Sequence, residues 1–133
     1  MVNYGFIKEI NSPFERVVDV VTEELKKEGF GVLTSINVKD KLKEKLGIDF
    51  KKYMILGACN PPSAHKAILA EENIGLMLPC NMLVYEKNNK TVLAVIKPTV
   101  AMQMIDNMEL QQLAGQIEIK LKKVFDSVIA NNA

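Results

Sequence analysis

The chain opens with an alternation in which Tyr4, Phe6 and Ile10 fall to one side of Asn3, Gly5 and Ile7, with Lys8 breaking the apolar side, and this predicts a first strand. Ser12-Pro13-Phe14-Glu15 then reads as a capping box: an N-cap serine, a proline at the first helical position and an acid three residues after the cap. Phe14, Val17, Val18, Val21 and Leu25 recur at helical spacing, and Gly29 supplies a residue able to end the helix in the left-handed conformation. From Val32 to Val38, Val32, Thr34, Ile36 and Val38 alternate with Leu33, Ser35 and Asn37, which predicts a half-buried strand, and a short charged helix follows near Lys39 to Leu46.

Tyr53 to Cys59 is apolar throughout, the pattern of a strand covered on both faces or central in its sheet. Asn60 caps a predicted helix that starts with Pro61 and Pro62 and runs to about Asn73, ending at Gly75. Ile74 to Leu78 is apolar around one glycine and reads as an extended segment, with Pro79 at an edge or kink. Met82–Glu86 and Thr91–Ile96 flank Lys87-Asn88-Asn89-Lys90, where asparagine tolerates the positive φ of a tight hairpin. Leu110, Leu113, Ala114, Ile117, Leu121, Val124, Phe125 and Val128 form the apolar stripe of a long C-terminal helix. The order βαβ(α)βαββα predicts a two-layer α+β domain with a mixed sheet of about five strands, since the hairpin forces at least one antiparallel pair.

Composition narrows the class. The 133 residues carry 17 Lys+Arg against 16 Asp+Glu, with two cysteines, one histidine, seven methionines and no tryptophan. This is enough chain for a single domain over residues 1–133, with no linker or repeat at which to divide it. A balanced charge with no long basic run gives nucleic acid no electrostatic footprint. No apolar run approaches the roughly 18 residues that span a bilayer, and the first residues lack a signal peptide's pattern, so a cytoplasmic protein without a membrane partner is expected. Two cysteines make no disulfide framework. They lie in a charge-poor stretch, Tyr53 to Leu83, whose only charges are Lys66, Glu71 and Glu72.

Common catalytic patterns are absent. One histidine and no Gly-x-Ser-x-Gly leave a serine hydrolase without parts, and neither a dinucleotide fingerprint nor a P-loop occurs. Without Cys-x-x-Cys, a zinc site would need ligands supplied from afar. What remains is Cys59-Asn60-Pro61-Pro62-Ser63-Ala64-His65 and Leu78-Pro79-Cys80. A thiol before a helix N-terminus gains thiolate character, but Pro61 and Pro62 carry no N–H to support an anion there. Cys59 is equally a small hydrophobe at the end of a buried strand, and His65 a surface or capping residue. Convergence of the cysteines depends on register. Six residues of strand rise about 20 Å and a helix of about twelve residues returns about 18 Å, so an extended climb from Gly75 would bring Cys80 level with Cys59. Cys59, Cys80, His65, Met77 and Met82 would then be candidates for a soft metal or haem iron, against methionines that merely fill a core.

Tyr53-Met54-Ile55-Leu56-Gly57-Ala58-Cys59-Asn60-Pro61, Ala64-His65-Lys66-Ala67-Ile68, the run from Ile74 to Glu86 that contains Leu78-Pro79-Cys80-Asn81, and Ile96-Lys97-Pro98 together resemble the signature of the prokaryotic domain of unknown function 302 family. The likeness extends over nearly the whole chain. It implies a compact α+β fold that tends to form homodimers, and no established activity. Cys59, Asn60, Pro61, Pro79 and Cys80 are the positions carried over as a candidate site.

The leading expectation is a non-enzymatic module that holds a small apolar or amphipathic ligand in a cleft beside the two motifs, with Asn60, His65, Asn81 and the thiols as polar groups and no cofactor. The alternatives are a thiol redox or soft-metal or haem protein using Cys59 and Cys80, and a structural or interaction domain whose prolines only shape a strand-to-helix corner. The exposed apolar edge of the C-terminal helix, or the Met102–Met108 segment, is the expected subunit contact.

Overall fold

A computed structural model describes residues 3–132, with the side chain of Asn132 excepted. Five strands form one sheet in the order β1-β5-β4-β3-β2, from β1 (Gly5–Ile10), β2 (Gly31–Asn37), β3 (Tyr53–Cys59), β4 (Cys80–Lys87) and β5 (Lys90–Ile96). The α+β class is as expected, but the sheet is not mixed: every neighbouring pair is antiparallel. The reason is topological. α1 (Phe14–Lys27) carries the chain from one edge of the sheet to the other, so β1 and β2 never become parallel neighbours.

One face of the sheet is closed by α1 and by α5 (Met108–Asn132). Val17, Val21 and Leu25 from α1 meet Ile117, Leu121, Val124 and Val128 from α5 over Leu56, Met82, Val84, Leu93 and Val95. The predicted apolar stripes are thus the inward faces of both helices, with Phe14 and Val18 partly buried at the margin. The capping box at the start of α1 does not form. Pro13 holds the N-cap position without a side-chain bond, the Ser12 carbonyl accepts from the Thr91 hydroxyl at 2.6 Å, and Glu15 pairs with Lys52 at 2.8 Å. Gly29 does end this helix region at φ +81°. The buried carboxylate of Glu24 accepts from Lys27 at 2.6 Å and from the Asn131 amide at 3.3 Å, tying the end of α1 to the end of α5.

Among the described residues, neither α1 nor α5 covers the other face. Here the register aligns Ile7, Ala94, Leu83, Ile55 and Ile36 in one row across all five strands. Tyr53 stacks on Tyr85 in the next row at 5.1 Å between ring centres, with the Lys51 amine 4.8 Å from the Tyr85 ring. The unbroken apolar run of β3 therefore reflects burial on one face and an apolar open face on the other, rather than cover on both. α2 (Val38–Leu46), capped by the Asn37 side chain accepting from Asp40 N–H, links β2 to β3. No helix of the described residues is long and apolar enough to cross a membrane.

A second apolar cluster lies beyond one end of the sheet. Ala67 of α3 (Pro61–Ala70), Ile74 of a 3₁₀ turn (Glu72–Met77), Met102 after the single-turn α4 (Pro98–Ala101), and Leu110, Leu113 and Ala114 of α5 pack together. Polar side chains fix this cluster. The Gln111 amide donates to the carbonyls of Met102 and Ile105 at 2.8 and 2.9 Å, Asn107 donates to Ala70 O at 2.8 Å, and Glu118 accepts from Thr99 N–H and Oγ1 at 3.0 and 2.6 Å.

Candidate functional site

The two motifs meet, by a different route from the extended climb. Ile74–Leu78 is not a strand: residues Glu72–Met77 wind into the 3₁₀ turn. α3 does not return along the sheet either; it packs on α5 and on that turn beyond the sheet's end. The chain is therefore still at the end where β3 left it, and β4 enters there with Cys80 opposite Ala58. Gly57 makes the corner possible. A Cβ on Gly57 would lie 2.6 Å from Pro79 Cγ and would also meet Thr34 Oγ1, so only glycine lets the proline ring sit on the strand. The Leu78–Pro79 peptide is cis.

Between the motifs lies a cavity of about 280 Å³. Ala58, Cys59 and Asn60 form one side, Leu78, Pro79 and Cys80 another, with Ser63, Ala64, Ala67 and Ile68 of α3 above, Phe30 and Leu33 at the β2 end, and Met102 and Ile117 behind. It occupies the seam between the two apolar clusters: Phe30, Ala58, Cys80 and Ile117 belong to the first, Ala67, Met102 and Leu78 to the second. Small side chains create the space. Protein interiors pack near a density of about 0.75, so a face of alanines opposite a strand end leaves room that neighbours do not fill.

Asn60 lines this cavity, but both ends of its amide are engaged. Its Oδ1 accepts from Ser63 N–H at 3.2 Å as the N-cap of α3, and its Nδ2 donates to Gly29 O at 3.3 Å. The helix start is likewise closed to an anion: Pro61 and Pro62 have no N–H, Ser63 N–H is held by the cap, and Ala64 N–H donates to Asn60 O at 2.9 Å. Pro61 and His65 are exposed and line neither this cavity nor its neighbour. Asn81 is exposed at the start of β4 and belongs to the smaller hollow and to the open sheet face. The structure thus brings Cys59, Asn60, Pro79 and Cys80 together and leaves Pro61, His65 and Asn81 outside.

Cys59 stands opposite Gly31 and Cys80 opposite Ala58, so the thiols are not a facing cross-strand pair. Burial, with the neighbouring Cys59 charge adding to it, pushes the Cys80 thiol up to about 11, so it keeps its proton at neutral pH. Met77, Cys80 and Met102 line an adjacent hollow of about 220 Å³, while Met82 is buried in the main core. Thiol and thioether ligands suit a soft ion such as Cu(I) rather than a hard cation, and Met77, Cys80 and Met102 are the soft donors grouped at this hollow. Among the described residues no three His, Cys, Asp or Glu side chains gather in metal-binding geometry.

Phe30, Leu33, Ala64, Ala67, Met102 and Ile117 were not among the expected site residues. Ala64, Ala67 and Ile68, with Ser63, stand at i, i+3 and i+4 spacing, which is the sequence signal for one small-residue face of α3. Met102 and Ile117 carry no such signal, because only the tertiary packing of α5 brings them in.

No functionally curated protein matches the chain. The crystal structure of an uncharacterized conserved DUF302 protein from Bacillus stearothermophilus is 32% identical, and the alignment covers 96% of this chain and 99% of that one with a TM-score of 0.89. The family described as domain of unknown function DUF302 matches residues 6–128, and with that span and the shared fold the chain belongs to this family.

Proposed function

We propose that the protein is a non-enzymatic homodimeric module that holds a small apolar or amphipathic ligand in the cavity between its two motifs. The observation that carries this reading is the placement of both motifs around one apolar hollow at the seam of two cores. Ligand sites are mostly apolar concavities with few polar groups, and catalysis needs a positioned acid, base or nucleophile. No carboxylate, lysine or histidine lines the cavity, its buried Cys80 thiol is held protonated and its amide is engaged in capping.

For the dimer, the open sheet face is a better candidate than the Met102–Met108 segment, because Met102 is buried and only Met104 and Met108 stand out there. Five strands at about 4.8 Å and seven residues at about 3.4 Å give a face of roughly 570 Å² per protomer. Two such faces bury about 1,100 Å², just above the threshold of about 1,000 Å² for a specific interface.

The ligand reading is tested with Ala64→Leu, which extends a side chain from α3 into the hollow. The unmodified protein is expected to enhance the fluorescence of N-phenyl-1-naphthylamine. The variant loses that affinity at least tenfold while its melting temperature holds or rises, since it fills space that the native chain leaves open. Leu83→Lys, on the open sheet face, keeps the probe response. No enhancement by the unmodified protein, or an unchanged response in Ala64→Leu, overturns the reading.

A further inference from the structure

The cavity's own donors and walls say how a ligand would sit in it, and this step rests on the ligand-binding reading above. None of the residues lining the cavity is charged. Its polar amide, Asn60, is bonded at both ends, and every N–H at the start of α3 is either absent, in Pro61 and Pro62, or held by Asn60. A carboxylate or phosphate brought inside would lose its water and find no cation to replace it, only the Ser63 hydroxyl and the weakly donating thiols, which leaves a charged group at a net cost there. At the outer rim the wall stays apolar, because Leu33 and Ile68 are 67% and 45% exposed while still lining the space. The inner end is walled by Cys80 and Met102, whose polarisable sulfurs adapt to the shape of a neighbouring chain.

We propose that the occupant is the alkyl chain of a single-tailed amphiphile, inserted tail first between α3 and the end of the sheet, with its polar head left in water beyond Leu33 and Ile68. The volume sets the length. About 280 Å³ at roughly 30 Å³ per water-sized unit holds about nine such units, so the chain that fills it has about eight to ten carbons. The head group's charge is not selected, since no charged residue lines the site. A free fatty acid, a fatty alcohol and the tail of a detergent or lysolipid share this chemistry.

The test is a homologous series measured by displacement of N-phenyl-1-naphthylamine from the full chain: hexanoate, octanoate, decanoate and dodecanoate, with 1-octanol and 1-decanol as uncharged partners and adamantanol as a compact apolar probe. Affinity is expected to rise about fourfold per methylene up to about ten carbons and then level off, following the transfer of each CH₂ from water. Octanoate and octanol are expected to agree within about threefold, and their ratio to stay constant between pH 6 and 8. Octyl glucoside below its micelle concentration, displacing as well as octanol, identifies a detergent or lysolipid tail as an equal source; failure of octyl glucoside with success of octanoate restricts the ligand to slim heads. Phe30→Ala, which widens the hollow at the β2 end, moves the levelling point to longer chains. A preference for carboxylate over alcohol beyond tenfold, or affinity that does not depend on chain length, overturns the tail-first assignment. Tight adamantanol binding without chain dependence overturns it while leaving the ligand-binding reading standing; absence of any displaceable probe overturns that reading first.

Discussion

Cys80 is where burial and chemistry can be separated most simply. Its thiol titrates near 11 in the folded chain against 9.0 for an unburied thiol, with loss of solvent as the larger cause and the Cys59 charge as the smaller. The folded state therefore keeps the proton longer than the unfolded chain. Stability from this group is fully present below about pH 9 and is lost as pH rises through 11, by about 2–3 kcal/mol in all. Urea titrations at pH 8, 9.5 and 10.5 are expected to show this fall, and Cys80→Ala to flatten it. Iodoacetamide at pH 8 is expected to label the half-buried Cys59 and to spare Cys80 in the folded chain. Gly57 is the second residue with a sharp expectation. Gly57→Ala drives a Cβ into the Pro79 ring and Thr34, neither of which is the far end of a flexible chain, and is expected to lower the urea-derived stability by about 1–3 kcal/mol.

Among the elements, the β4–β5 hairpin follows directly from local chemistry. Asn88 and Asn89 adopt φ of 51° and 63°, the left-handed pair a two-residue turn requires, so Asn89→Gly is expected to raise the thermal midpoint by the equivalent of about 0.5–1 kcal/mol, read by calorimetry. The same kind of local signal made most of the fold legible. The apolar stripes of α1 and α5, the span of β3 and the asparagine cap of α3 need only near neighbours to be read. The site was legible in part: the motif residues Cys59, Asn60, Pro79 and Cys80 stood out, yet the way they meet did not. That depends on α3 leaving the sheet to pack on α5, and on Glu72–Met77 coiling where an apolar run around Gly75 suggests extension. Long-range packing decides both. The capping box failed for a related reason, because Glu15 finds Lys52, 37 residues away, instead of the helix start.

At the scale of the whole molecule, the two faces of the sheet divide the work of cohesion. The helix-covered face and the outer cluster stabilise the protomer, and the row Ile7, Ala94, Leu83, Ile55 and Ile36 lies on the uncovered face, exposed at Ile7 and Ile36, half-buried at Leu83 and Ile55 and buried at the small Ala94. Antiparallel sheets with one solvated face usually make that face polar, so an apolar row is a surface that gains by association. Leu83→Lys, at the centre of the row, is expected to convert a dimer to a monomer in sedimentation velocity runs while leaving far-UV circular dichroism unchanged; a dimer that survives the substitution places the contact elsewhere.

The antiparallel register also gathers the β3–β4 corner, with Gly5, Gly31 and Ile96, at a single end of the sheet and puts the Asn88–Asn89 turn at the opposite end. The molecule is consequently polarised, with the candidate cavity at one end and a plain turn at the other, separated by the length of a strand. An epitope, a fluorophore or a surface tether grafted into that far turn would report on the hollow without crowding its entrance.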